Sequence, residues 1–356
     1  MARTLRQGEM KVNNSRLHVL VDLQFGSTGK GALAGYLSAR EQYDGVISCN
    51  MPNAGHTAYS PAPRSKMFMH KVLPSGLFSP KPMIVGIGPG AVFNIDRLLE
   101  EWANLTNSRR DLKLVIHEAA GILQDHHVKA EQKSLSRISS TMQGSAEALI
   151  SKIRREEGAI AKYHAEQLID LLSEHGEVHV VRQRLWLDMF AGKKVLLEGS
   201  QGYSLGLSSG FYPYCTSREC TPARVVSDCG MPMSLVTKIY GSCRVHPIRV
   251  GNTPDGYSGD WYDDQREIHF SDLGVKDELT TVTKRVRRIA TFSPEQIREA
   301  MAMAMPDEVF LNFVNYDHDA AREACDTIDI VAADLHCGGV GMLGHGPKPE
   351  DIEEVG

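Results

Sequence analysis

Residues 19–37 read VLVDLQFGSTGKGALAGYL, and the order of features within them decides the fold. The apolar run at 17–23 has the character of a parallel strand buried on both faces. It passes into Gln24-Phe25-Gly26-Ser27-Thr28-Gly29-Lys30-Gly31, and then into a helix-like spacing through Leu33, Tyr36 and Leu37. Three glycines let the backbone approach an anion closely, the N–H groups of a helix start point toward it, and Lys30 adds a full positive charge. The ligand expected of such a turn is a phosphate. It is not the standard P-loop, because that pattern needs Ser or Thr after the lysine and Gly31 stands there. Read alone, the turn is equally a tight strand-to-helix connection. A second segment adds weight: Asn53-Ala54-Gly55-His56-Thr57 follows another short strand at 45–49.

The 356 residues are 42% apolar, enough to bury a large core as one α/β domain. A net charge of −5 argues against a general nucleic-acid or anionic-membrane binder. No apolar run reaches the ~20 residues of a membrane span, and the N-terminal residues lack a signal-peptide core. The seven cysteines show no CxxC spacing among Cys215, Cys220, Cys229 and Cys243. They are expected as reduced thiols in a cytoplasm.

Further along, strands are expected at 83–87, 112–116 and 194–197, with helical spacing at 94–105 and from Ala146 onward. This alternation predicts a large, mostly parallel central sheet with helices on both faces. Adjacent His126 and His127 point in different directions and are not expected to bind metal. Lys152, Arg154 and Arg155 are expected on an exposed helical face.

With these residues in view, the chain resembles the adenylosuccinate synthetases, whose first turn carries QWGDEGKGK and whose second carries NAGHT. The second is complete here; the first reads QFGSTGKGA, with Ser27 and Thr28 at the family's Asp and Glu. Similarity continues through VLPSGL, EGSQG (198–202), FYPYCTS (211–217) and the RVG at 249–251. It is good over residues 17–291, and 292–356 is expected to form a shortened nucleotide-base-binding lobe of the same single domain.

The resemblance implies a ligase that joins aspartate to a 6-oxopurine nucleotide by way of a 6-phosphoryl intermediate, with Mg2+ and as a homodimer. Ser27, Lys30 and His56 fall at the catalytic positions, and Ser27 with Gly55 at the metal. The purine nucleotide would meet Ser27, Asn53, Ser140, Thr141, Gln201, Thr216, Val250 and Arg285, with Arg155 reaching in from the partner subunit. The triphosphate would meet Gly26, Thr28, Gly29, Lys30, Gly31, His56, Thr57, Arg287, Asn315, Gly346 and Pro347. Aspartate would meet Thr281, Val282, Thr283 and Arg285.

Two departures bear on substrate. A hydroxyl at position 27 cannot act as a carboxylate base at neutral pH, but a short neutral side chain leaves room for the 2-amino group of guanine. This is the pattern of the family's phage branch, which takes dGMP. The family's guanine-reading Lys-x-Asp is replaced by Phe313 and Asn315. An amide can serve adenine's acceptor N1 and donor 6-amino group, so ATP or dATP is expected as donor. An ordinary synthetase using IMP and GTP, and a non-catalytic purine nucleotide sensor, remain as alternatives.

Overall fold

A computed structural model describes residues 14–63, 65–254, 256–280 and 284–355. The quoted stretch supplies the central strand, β1 (Arg16–Asp22), whose residues from Leu17 onward are all buried. Leu20 faces one core and Val19 and Val21 the other, as expected of a strand covered on both sides. Around it lie β2 (Gly45–Ser48), β3 (Met83–Ile87), β4 (Leu112–His117) and β5 (Glu177–Val181). The rest are β6 (Lys194–Glu198), β7 (Val236–Arg244), β8 (Glu308–Asn312), β9 (Val340–Gly344) and β10 (Ile352–Glu354). Their order across the sheet is β10-β9-β8-β7-β1-β6-β2-β3-β4-β5. Every pair is parallel except β9 with β10.

Helix α1 (Lys30–Glu41) lies with Ile95–Thr106 and Ala165–Ser173 against one face of this sheet. Gln183–Phe190, Pro222–Asp228, Pro294–Ala304 and His318–Leu335 cover the other. The α/β expectation is met, with Asn94 capping its helix through Arg97 N at 2.9 Å.

The last sixty residues lie on the same core: β8, β9 and β10 continue the main sheet, and their helices pack on the shared core. Strand β7 ends at Arg244. After Pro247, which has no N–H to donate, Ile248–Arg249 joins a small antiparallel sheet with Arg288–Ala290 and Glu267–Ile268. Lys152 is not on an open face, since its Nζ reaches the carbonyl of Pro89 at 2.5 Å. His127 makes a helix-start contact, its Nδ1 accepting from Gln124 N at 3.1 Å. Among the described residues no helix is long and apolar enough to cross a membrane.

A parallel sheet brings the carboxyl ends of its strands to one edge, and ligands of such folds gather there. The glycine turn follows β1, the Asn53 loop follows β2, the Gln201 turn follows β6, and Asn315 and Gly346 follow β8 and β9.

Candidate active site

The turn after β1 is shaped from beneath by a carboxylate that the sequence reading passed over. Asp22 is 1% exposed. Its Oδ1 accepts from the backbone N–H of Gln24 (2.9 Å) and Gly26 (3.1 Å). Its Oδ2 accepts from Thr28 Oγ1 (2.6 Å) and Lys30 Nζ (2.9 Å). Four donors, one of them a buried cation, satisfy one buried anion, which is the condition for placing it there. Lys30 also donates to the carbonyl of Gln201 at 3.0 Å, tying the first turn to the turn after β6.

Glycine is required at two points. A Cβ at Gly29, whose φ is +89°, would lie 1.9 Å from Asn312 Nδ2, and one at Gly31 would lie 2.3 Å from the carbonyl oxygen of Thr57. The second contact explains why no Ser or Thr follows the lysine: α1 begins directly against the strand His56–Tyr59. Ser27 is in the left-handed region at φ 56°, exposed toward the cavity. Asp, like Asn, is tolerated in that region.

A cavity of about 630 Å³ opens above these turns. It is lined by all the residues expected at the triphosphate: Gly26, Thr28, Gly29, Lys30, Gly31, His56, Thr57, Arg287, Asn315, Gly346 and Pro347. Asn53, Gly55, Ser140, Thr141, Gln201, Thr216 and Val250 line it too. Gln201, itself left-handed at φ 60°, donates from Nε2 to Asn53 Oδ1 at 3.1 Å, so its amide is oriented before any ligand arrives.

Among the described residues, His56 Nε2, Thr216 Oγ1 and Ser217 Oγ are buried without a hydrogen bond, a costly condition that a phosphate oxygen would relieve. Burial, with Lys30 and then His70 adding to it, lowers His56 to about 3, so the ring is neutral near pH 7. Burial likewise lowers Arg287 to about 10 against the opposing pull of Glu278, leaving it charged. Its guanidinium makes no hydrogen bond among the described residues, so an anion would find both charge and donors available.

Not every expected residue arrives. The guanidinium of Arg285 is absent from the cavity wall; it donates to the carbonyls of Gly251 (3.2 Å) and Ser140 (3.4 Å), bracing two loops instead. Arg155 ends its helix exposed at φ 63° and lies outside the cavity of its own chain. Thr281, Val282 and Thr283 lie outside the described residues. Other wall residues were not foreseen: Phe25, Ser139, Tyr214, Arg249 and Tyr316. Arg249 spends its donors on the carbonyls of Ser258 (2.9 Å) and Tyr214 (3.1 Å) while its guanidinium stands 4.5 Å over Phe25. A cation inside the run Pro247-Ile248-Arg249-Val250 was the available signal.

As to metal, no group of three or more His, Cys, Asp or Glu side chains is poised for one among the described residues. Ser27 and Gly55 offer only neutral oxygens at the cavity wall. Such donors fit a hard ion that keeps phosphate and water ligands, not one held by protein alone.

Comparison with known proteins agrees with this geometry. The adenylosuccinate synthetase family profile matches residues 19–182 and 175–330. The N6-succino-2-amino-2'-deoxyadenylate synthase of Vibrio phage phiVC8 is 43% identical over 342 residues, covering 94% of this chain and 97% of that protein. The structure of cyanophage S-2L succinoaminodeoxyadenylate synthetase (PurZ), bound to dGMP and dATP as an energy donor, superposes with a TM-score of 0.86. It is 39% identical, with 96% of this chain and 95% of that one covered. Fully ligated adenylosuccinate synthetase from Plasmodium falciparum, at 20% identity, 95% and 99% coverage and a TM-score of 0.70, shares the fold. The strand-turn-helix at residues 16–41, the NAGHT loop and the sheet edge they occupy thus place the chain in the adenylosuccinate synthetase family.

Proposed function

We propose that the protein joins L-aspartate to the 6-position of dGMP, using ATP or dATP, to give the succinyl precursor of 2-aminoadenine deoxynucleotide. The observation that carries this reading is Ser27. A neutral, short side chain lines the cavity where the family has a carboxylate, and Lys30, His56, Asn53 and Gln201 line the same cavity. The names of the phage relatives support the same substrate.

The work divides among residues as follows. Gln201 and Asn53 hold the purine, and Thr216, Ser140 and Thr141 receive the 5′-phosphate. The backbone N–H groups at the start of α1, with Lys30, cradle the triphosphate. His56, neutral and with Nε2 unpartnered, donates to the phosphoryl group as charge develops during its transfer to O6. Asn315 reads adenine beside Phe313, and Arg287 offers its fork to a carboxylate or phosphate. In the transfer to O6 the nucleoside diphosphate leaves and the N1 proton passes to water; the aspartate amine then attacks C6, gives up a proton to water, and phosphate departs with O6. Ser27 and Gly55 would offer oxygens to Mg2+, which would supply positive charge against the phosphoryl group in transfer.

The test is one panel: protein, Mg2+ and aspartate with IMP or dGMP, and with GTP, ATP or dATP, read as phosphate release and product mass. Turnover confined to dGMP with an adenine triphosphate is expected. Turnover only with IMP and GTP would establish the ordinary synthetase, and none with any pair the nucleotide sensor.

Two smaller outcomes follow from the same reading. Ser27→Asp keeps a backbone angle that Asp tolerates, so its effect falls on the base: kcat/KM for dGMP relative to IMP should drop by on the order of 10- to 100-fold. An unchanged ratio removes the substrate argument. We also propose a homodimer in which Arg155 serves the neighbouring site. Equal mixing of inactive Arg155→Ala and His56→Ala proteins should then restore activity at up to about a quarter of the sites; no recovery after subunit exchange would rule this out.

A further inference from the structure

One buried cation, Arg218, takes no part in the mechanism above. It is 3% exposed, an unfavourable place for a charge unless its donors are used. Nη1 donates to the carbonyl of Gly90 at 3.2 Å and to Asp228 Oδ2 at 3.0 Å. Nη2 donates to the carbonyl of Cys49 at 2.6 Å and to Ser200 Oγ at 2.5 Å. The segments that follow β2, β3 and β6 thus meet on one guanidinium.

The bond to Ser200 has a direction as well as a strength, because a guanidinium donates and never accepts. Ser200 Oγ must therefore accept from Arg218, and its own proton goes elsewhere. Among the described residues the oxygen it reaches is Gln201 Oε1, at 3.0 Å. That settles the Gln201 amide: Oε1 is turned to Ser200, and Nε2 donates to Asn53 Oδ1 at 3.1 Å. Asn53 is oriented in turn, its oxygen toward Gln201 and its Nδ2 left over. Donation runs one way, from Arg218 through Ser200 and Gln201 to Asn53.

The end of this chain is what a ligand meets. Gln201 Nε2 keeps a second N–H and Asn53 Nδ2 has two, with no further partner for them among the described residues, and both side chains line the cavity. Arg218 itself is absent from the cavity wall. The guanine edge that carries O6 and N7 offers acceptors alone, whereas a 6-aminopurine puts a donor in place of O6. With both amides reversed, the same two residues would offer carbonyl oxygens and suit the amino group instead.

We propose that Arg218 and Ser200 are positioning residues that set the direction of this chain, so that Gln201 and Asn53 present N–H groups to O6 and N7 and the site takes a 6-oxopurine in preference to a 6-aminopurine. This rests on the assignment of Gln201 and Asn53 to the purine of dGMP. Discrimination at C6 then originates on a cation that never touches the base.

The test measures, by calorimetry, the affinities of dGMP and of 2-aminoadenine deoxynucleoside 5′-monophosphate, which share the 2-amino group and differ at the 6-position and N1. The unaltered protein should bind dGMP more tightly by on the order of 10- to 100-fold. In Ser200→Ala the proton that holds Gln201 Oε1 is gone and the amide is free to turn. The ratio should then fall to about threefold or less, with dGMP weakened and the 6-amino nucleotide bound as well as before or better. A serine that only fills space would weaken both nucleotides alike. If Ser200→Ala binds neither nucleotide, Ser200→Cys, whose thiol is a weak donor of similar shape, decides by the same ratio. An unchanged ratio in the deciding variant, loss of both nucleotides in both variants, or a parent without preference overturns the inference. A parent that binds no dGMP at all instead overturns the functional reading beneath it.

Discussion

His56→Ala is expected to lower turnover by on the order of 100- to 1,000-fold, the usual consequence of deleting one donor aimed at developing charge. The same substitution should leave dGMP affinity nearly intact and shift the apo unfolding midpoint by no more than about 2 °C. The two halves of this outcome have one cause. Nε2 is buried with no partner, so in the empty protein it contributes desolvation cost and no bond. Only a phosphoryl oxygen would give it one. Because burial and Lys30 lower the ring to about 3, His56 is neutral across the working range, and its loss should scale kcat without moving the acid limb of the pH profile. A structural histidine would behave differently. If stability and dGMP binding fell in step with turnover, the catalytic assignment would be withdrawn.

The second large effect concerns Asp22. Asp22→Ala removes the acceptor of two backbone N–H groups, a hydroxyl and a lysine, leaving Lys30 buried with only the Gln201 carbonyl. Breaking such a pair typically costs about 3–5 kcal/mol, and the pair is sealed from solvent, Lys30 at 5% and Asp22 at 0% side-chain exposure. Denaturant unfolding should show that loss. Triphosphate binding should fail as well, since Gly26, Thr28 and Lys30 take their places from this carboxylate. A stability within about 1 kcal/mol of the parent would mean that the turn holds its shape without its buried anion.

Asp22 also shows where sequence reading stops. The strand around it was legible because seven largely apolar residues need burial on both faces, and the turn because glycines and a lysine follow at once. The carboxylate between Val21 and Leu23 carried no periodic signal. Its meaning depends on which backbone N–H groups fold back onto it. Arg218, inside the run Thr216-Ser217-Arg218-Glu219, was hidden for the same reason. Arg285 was assigned to ligands by the resemblance; that its Nη1 and Nη2 also reach the carbonyls of Gly251 and Ser140 could not be read from the sequence. In the C-terminal region the motifs fade, so its strands Glu308–Asn312 and Val340–Gly344, which extend the sheet, were not placed from the sequence. Most of the residues expected at the two nucleotides do line the cavity, while Phe25, Ser139, Tyr214, Arg249 and Tyr316 line it without having been expected.

Gly31 leaves no gap between the start of α1 and the backbone of Thr57. Lys30 and His56, proposed to bracket the donor phosphates, are therefore set on a single mount, with their spacing established at folding. Nucleotide arrival has no need to draw them together, and a methyl group at this glycine would act as a wedge between two reactive side chains it never touches.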